Sequence, residues 1–234
     1  MDVQARIEEL VARYGLPAAA GDQLARLLAA LSAEPDPHTT VGDPSKAVDR
    51  HIADSLSGLE LPELRSAARI VDIGAGAGFP GLPLAIALPG ATVDLLEASR
   101  RKAAVIERLA SAAGASNANP LPLRAEEWGA TDGRNAYDVA TVRAVAPLAV
   151  LVEYAAPLLR DGGALVAWKG QRDAEEEASG ARVAEVVGLR PVSITSVEPF
   201  LGARDLNLHL YSKERSTPDR FPRRPGAAAK RPLA

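Results

Sequence analysis

No cysteine occurs among the 234 residues, which excludes disulfides and thiolate-bound zinc and makes a reducing cytoplasm the expected location. Aromatic residues are only 4% of the chain, so the core must be built from Ala, Leu and Val. No run of about 18 apolar residues is present, so no membrane span is expected. The N-terminal stretch MDVQARIEELVARYG carries charges of both signs and lacks the apolar segment of a signal peptide. His38 and His209 stand apart from any third ligand, so no metal site is expected.

Charge is unevenly spread. Residues 213–234 hold seven Lys/Arg (Lys213, Arg215, Arg220, Arg223, Arg224, Lys230 and Arg231) against Glu214 and Asp219. This end carries +5, which leaves −8 on the rest of a chain whose net charge is −3. A basic, Pro-rich tail on an acidic body suits phosphate contact; a solvated, disordered end is the other reading. On the first reading, truncating residues 215–234 weakens binding of a phosphate-bearing partner and spares binding elsewhere on the chain. Arg100, Arg101 and Lys102 form a second basic patch.

Apolar residues recur at helical spacing in Val3, Ile7, Leu10, Val11 and Tyr14, and again in Leu24, Leu27, Leu28 and Leu31. YGLP and AEPDP end these two helices. A third helix is expected over 45–59, with Ser45 as its cap. From residue 69 strand-like runs (69–74, 92–98, 119–125, 137–144 and 164–170) alternate with helices near 80–88, 99–113, 147–160 and 172–187. Such alternation implies a parallel sheet with helices on both faces. Two final strands, 191–200 and 206–213, are separated only by LGARD and should pair antiparallel. The expected fold is therefore α/β, with a Rossmann-like seven-stranded sheet whose last strand is antiparallel. The expected division is a helical cap over 1–62, the sheet domain over 63–213 and a tail over 214–234.

The stretch RIVDIGAGAGFPG (69–81) follows the first strand with Gly74, Gly76 and Gly78 in a G-x-G-x-G pattern. It falls where open α/β sheets bind ligands, beyond the carboxyl end of the first strand. A dinucleotide fingerprint needs a third glycine where this chain has Phe79, and no P-loop pattern occurs. Asp72 precedes the loop. Glu97 ends the second strand, 19 residues after Gly78, where a carboxylate can accept from ribose hydroxyls. Ala125 and Glu126 follow the third strand, placed to meet an adenine edge. An adenosine held in this way, with no phosphate pocket, points to S-adenosylmethionine. The other reading of Glu97 and Glu126 is solvated acids favoured at helix starts.

HIADSL (51–56), VDIGAGAGFPGLPLA (71–85), TVRAVAPL (141–148), LVAWKG (165–170) and the tail FPRRPGAAAKRPL together resemble the ribosomal RNA small-subunit methyltransferase G family, also called glucose-inhibited division protein B. The resemblance extends over nearly the whole chain. It implies a class I S-adenosylmethionine-dependent methyltransferase that methylates N7 of guanine 527 in the 530 loop of 16S rRNA. The partner would be 16S rRNA, a 30S subunit or an assembly intermediate. Independently of the resemblance, no membrane and no metal partner are expected, and the expected state is a monomer. Cofactor contacts carry over to Gly74, Phe79, Ala125, Glu126 and Arg143, and join Gly76, Gly78 and Glu97. One departure is the loop AEPDPHTTVGDP, where only Thr39 and Thr40 match the family's usual pattern.

Guanine N7 has a free lone pair at neutral pH, so no catalytic base is nominated. Arg143, ending the fourth strand, is expected to hold the methionine carboxylate or orient the base; a structural ion pair is its other reading. Lys169, ending the fifth strand, could reach RNA phosphate or sit idle at the surface. His51, Asp54 and Ser55 share a helical face, as a hydrogen-bonded brace or as substrate contacts. A methyltransferase acting on another RNA site or on a small molecule is the alternative, ahead of a nucleotide-binding oxidoreductase or a cofactor-binding protein without catalysis.

Overall fold

The computed structural model describes residues 2–39, 41 and 43–233; Thr40 therefore lies outside the described residues. Two amphipathic helices open the chain, α1 (Val3–Tyr14) and α2 (Ala20–Ala33). Asp2 caps α1 by accepting from the Gln4 amide, and Gly15 ends it in the left-handed conformation. The next helical stretch is composite. A short α3 (Pro44–Ala47) runs into a π-helical segment at Val48–Ala53, then α4 (Asp54–Leu56) and a 3-10 turn at Ser57–Glu60. Its cap is Asp43 rather than Ser45: the Asp43 carboxylate accepts from the Ser45 amide at 2.9 Å, and Pro44 takes the first helical position. A short α5 (Pro62–Arg65) leads to the sheet.

The remaining elements are β1 (Arg69–Ile73), α6 (Gly81–Ala87), β2 (Thr92–Leu96), α7 (Arg100–Ala113), β3 (Ala118–Leu121), α8 (Ala125–Gly129), β4 (Tyr137–Arg143), α9 (Leu148–Ala155), β5 (Leu159–Lys169), α10 (Ala174–Val187), β6 (Leu189–Ser196), β7 (Asn207–Lys213) and α11 (Ala227–Lys230). Among the described residues the strands make one seven-stranded sheet, ordered β3-β2-β1-β4-β5-β7-β6. β7 runs antiparallel to both neighbours, and the other pairings are parallel. The expected α/β sheet with an antiparallel last strand is the one observed.

Three boundaries differ from expectation. The third strand stops at Leu121 instead of reaching 125, because the segment after it turns into α8, where Glu127 accepts from the Arg124 amide at 2.9 Å. The helix after β4 ends at Ala155, and β5 begins at Leu159, not 164. Asp161-Gly162-Gly163 reads as a turn, but the register shift between Tyr137 and Val139 carries it along the strand edge. The sixth strand ends at Ser196, and the segment beyond folds onto α1: Arg6 and Arg13 donate to the carbonyls of Pro199 and Glu198 at 2.8 and 3.1 Å.

Strand side chains alternate between two cores. Ile70, Val93, Val139, Val166 and Leu208 join Leu10, Leu24, Leu27, Leu56 and Ile106 on the face covered by the N-terminal helices, α6 and α7. Val71, Leu96, Ala140, Leu165 and Tyr211 join Leu151, Val152, Val183 and Phe221 on the other face. The helical cap and the sheet thus share one core. This alternation also decides the site. Asp72, Thr141 and Arg143 fall on the cap face, whereas Lys169 falls on the face of α10.

Candidate active site

The glycine loop turns back over the end of β1. Gly74, Gly76 and Gly78 have φ of +70°, +61° and +92°, a region costly for residues with a Cβ. The Ala75 amide donates to Leu96 O at 2.9 Å, tying the loop to β2. Asp72 latches its far end. Completely buried, it accepts from the Gly81 amide at 2.9 Å and from the Thr141 hydroxyl at 3.1 Å. Gly81 has no room for a side chain: a Cβ there would lie 2.6 Å from Leu95 and 2.8 Å from Asp72. The Gly81 of the GFPG motif is therefore a packing requirement.

Phe79 is buried, turned towards the cap. Its ring stacks on His51, with centroids 4.5 Å apart and planes inclined by 14°. The Arg143 guanidinium lies 5.9 Å from the Phe79 ring centroid, within cation–π range. Arg143 also donates to Asp54 at 2.7 Å and to the Arg50 carbonyl at 3.2 Å, with both charged side chains about 85% covered. Thr39, from the divergent loop, shares a 2.9 Å hydrogen bond with His51 Nε2. Trp168 of β5 donates to the Asp54 carbonyl at 2.9 Å. Ser55 turns back to the His51 carbonyl and takes no part in the cluster. The structure thus brings together His51, Asp54, Phe79 and Arg143 from three separate stretches. The π-helical segment carries His51 and leads directly into Asp54, a feature frequent at functional sites. No spacing in the sequence announces it.

Glu97 and Glu126 are buried, so neither is the solvated helix-start acid of the alternative reading. Glu97 uses one oxygen to accept from the Gly76 amide at 3.1 Å and the other from Ser99 at 2.8 Å. It holds the middle of the glycine loop. Glu126 accepts from the Gly226 amide of the C-terminal tail at 2.7 Å. That contact, between residues 100 positions apart, was not legible in the sequence.

The tail is docked rather than solvated. Phe221 and Ala228 are buried, Arg134 donates to the Phe221 carbonyl at 2.8 Å, and Arg223 makes two 2.6 Å hydrogen bonds to buried Glu153. Lys213 is buried too, donating to Ala156 O and Leu159 O; desolvation lowers its pKa to about 8. The reading of this end as solvated and disordered is corrected for these residues. Arg224, Lys230 and Arg231 stay exposed. A signal was present: Glu153 is the one charge in the otherwise apolar helix LAVLVEYA, and such a charge requires a buried partner. Lys169 pairs with Glu176 at 2.6 Å, and Arg101 with Asp36 at 2.5 Å. No group of three or more metal-ligating side chains converges among the described residues.

Burial reverses the usual order of two titrations. His51 is lowered from 6.5 to about 4, first by desolvation and then by Arg143. Asp72 is raised from 3.8 to about 6 by desolvation, against the hydrogen bonds from Gly81 and Thr141. The depressed imidazole contributes stability that is present above pH 6.5 and lost as pH falls through about 4. The raised carboxyl contributes stability that is present below pH 3.8 and lost as pH rises through about 6. At pH 5 both should be neutral. Side-chain NMR titration is expected to show Asp72 titrating above His51; the ordinary order would remove burial as the controlling influence.

The family model for rRNA small subunit methyltransferase G matches residues 25–206. A ribosomal RNA small subunit methyltransferase G of Syntrophomonas wolfei is 39% identical over 186 residues, covering 80% of this chain and 86% of that protein. One from Deinococcus radiodurans is 40% identical over 218 residues, covering 91% and 85%. The solved structure of Aeropyrum pernix fibrillarin, in complex with S-adenosyl-L-methionine, is similar in fold with a TM-score of 0.53 and 19% identity, covering 68% of this chain and 72% of that one.

Proposed function

This chain belongs to the ribosomal RNA small subunit methyltransferase G family, and on that premise we propose that it transfers a methyl group from S-adenosylmethionine to N7 of guanine 527, in the 530 loop of 16S rRNA. The observation that carries the proposal is the convergence of His51, Asp54, Phe79 and Arg143 at the carboxyl ends of β1 and β4.

The residues present fit the cofactor. A Cβ at Gly76 would meet only the Gly74 carbonyl, at 3.9 Å, so the middle of the loop leaves its backbone open to close approach. Glu97 lies beneath it with a carboxylate suited to ribose hydroxyls, and Arg143 offers a cation to an amino-acid carboxylate. Gly74, Gly76, Gly78 and Phe79 would line the loop side, Ala125 and Glu126 the adenine side. When bound, S-adenosylmethionine supplies an electrophilic sulfonium methyl.

N7 attacks with its own lone pair, so no residue has to remove a proton first. The site fits that requirement. Asp54 is engaged by Arg143, His51 is held neutral by burial, and Asp72 is spent on the loop. What the chain supplies is orientation, worth about 7–11 kcal/mol in favourable cases. Lys46 and exposed Arg50 stand on the helix that carries His51, where phosphates of an approaching RNA would meet positive charge. No helix of the described residues is long and apolar enough to cross a membrane. We further propose a monomeric enzyme.

The test is incubation with labelled S-adenosylmethionine and 16S rRNA lacking the modification, as naked RNA and as 30S subunits, followed by mapping of 7-methylguanosine. Label at guanine 527 is the expected result. Label elsewhere, or only on small molecules, would sink the proposal.

A further inference from the structure

The tail that docks against α9 ends in a closed clip. Arg223 grips Glu153 with two hydrogen bonds of 2.6 Å and reaches forward to the Arg231 carbonyl at 3.0 Å. Between them the Ala227 amide donates to Arg224 O at 2.9 Å, and the Lys230 amide to Gly226 O at 3.2 Å. Buried Phe221 fixes the entry to the clip and buried Ala228 its short helix. The clip therefore holds one backbone N–H, that of Gly226, in a set place. That N–H points at Glu126 Oε1, 2.7 Å away. No other hydrogen bond is made to the Glu126 carboxylate by the described residues. One oxygen is fixed by the tail, and the second is left for a donor outside the protein.

We infer that the C-terminal clip is a positioning element of the cofactor site: Gly226 holds the Glu126 carboxylate in the orientation that accepts from the exocyclic amine of adenine. The inference rests on the reading of Ala125 and Glu126 as the adenine-facing pair. A carboxylate free to rotate would have to be ordered each time the ligand binds, and that cost is removed when the protein fixes it beforehand. The tail acts here through a neutral backbone group and not through its positive charge.

Gly226 offers a clean probe. Its φ is +77°, in the left-handed region, and a Cβ there would meet nothing within 4 Å. A side chain is thus penalised only through the backbone. Gly226→Val strains that conformation and should swing the amide off Glu126. Gly226→Asn tolerates it and should keep the amide in place. Binding of S-adenosylmethionine and of methylthioadenosine to the full chain would be measured by calorimetry, well below the melting transition and without RNA. Gly226→Val is expected to weaken both ligands by up to about tenfold, the cost of ordering one freed side chain when the ligand binds. Gly226→Asn should bind as the parent protein does. In a Glu126→Gln background the valine should add little, since both changes act on one contact.

Unchanged affinity in Gly226→Val would overturn the inference. So would a loss confined to S-adenosylmethionine, which would put the effect at the methionine end. Tighter binding would make the clip a competitor for the adenine site and would overturn it equally. Failure of the parent protein to bind either ligand would instead strike the cofactor reading itself.

Discussion

Arg143→Ala is expected to lower kcat/KM for ribosomal RNA methylation by about 10²–10³, the usual cost of removing a preorganised charged donor from a site. Two effects must be separated. Arg143 is the partner of Asp54, and both are largely buried, so the single variant leaves an unpaired carboxylate in the interface between cap and sheet. Breaking such a pair costs about 3–5 kcal/mol. Burial already pushes the Asp54 pKa up and Arg143 opposes that shift, so the carboxyl would take up a proton at higher pH in the variant. Asp54→Asn in the same chain removes the stranded charge. The double variant should melt close to the parent protein yet remain without activity. A stable, active double variant would leave Arg143 as a counter-ion for Asp54 and nothing more.

Deletion of residues 215–234 is expected to destabilise the whole protein. It removes Phe221, which packs with Leu151, Val152 and Val183 in the second core, and strands Glu153, which is 3% exposed. Loss of a buried Phe costs about 3–5 kcal/mol, and an orphaned buried charge a similar amount. Either is a large part of the roughly 5–15 kcal/mol that a domain has. A fall of about 10 °C or more in the melting midpoint is expected, at 2–4 °C per kcal/mol for this size. The expectation that truncation touches RNA affinity alone does not survive the docking of the tail. Glu153→Leu with Arg223→Met should fold nearly as well as the parent protein, because replacing both partners with apolar groups leaves no charge behind. Arg223→Met alone should not. Equal melting of the two variants would show that the pair contributes nothing to the fold.

The sheet was legible because its signals are local. Ile70-Val71-Asp72-Ile73 reads as a strand, three alternating glycines follow, and Ser99 and Gly114 bracket α7 as cap and stop. The glycine loop and Glu97 were legible for the same reason, since one stretch of chain makes the turn and the next supplies its acid. The π-helical turn was not, because its residues fit an α-helix equally well. Nor was the partner of Arg143, because Asp54 lies 89 residues away and only the strand alternation that turns Arg143 towards the cap brings them together. The tail's two readings stayed open for a related reason. Composition counts charges but does not say whether they face water. Arg223 and Lys213 look like any other basic residues until their buried acceptors, Glu153 and the carbonyls of Ala156 and Leu159, are seen.

The docked tail has a bearing on the order in which the structure can close. Chains fold from the N-terminus as they are synthesised. Helices, sheet and glycine loop can form while residues 217–231 are still unmade, but Phe221 and Arg223, the partner of Glu153, are then missing. The second core stays open and Glu153 unpaired until that segment docks. The step that closes this core therefore belongs to a stretch made after the whole sheet.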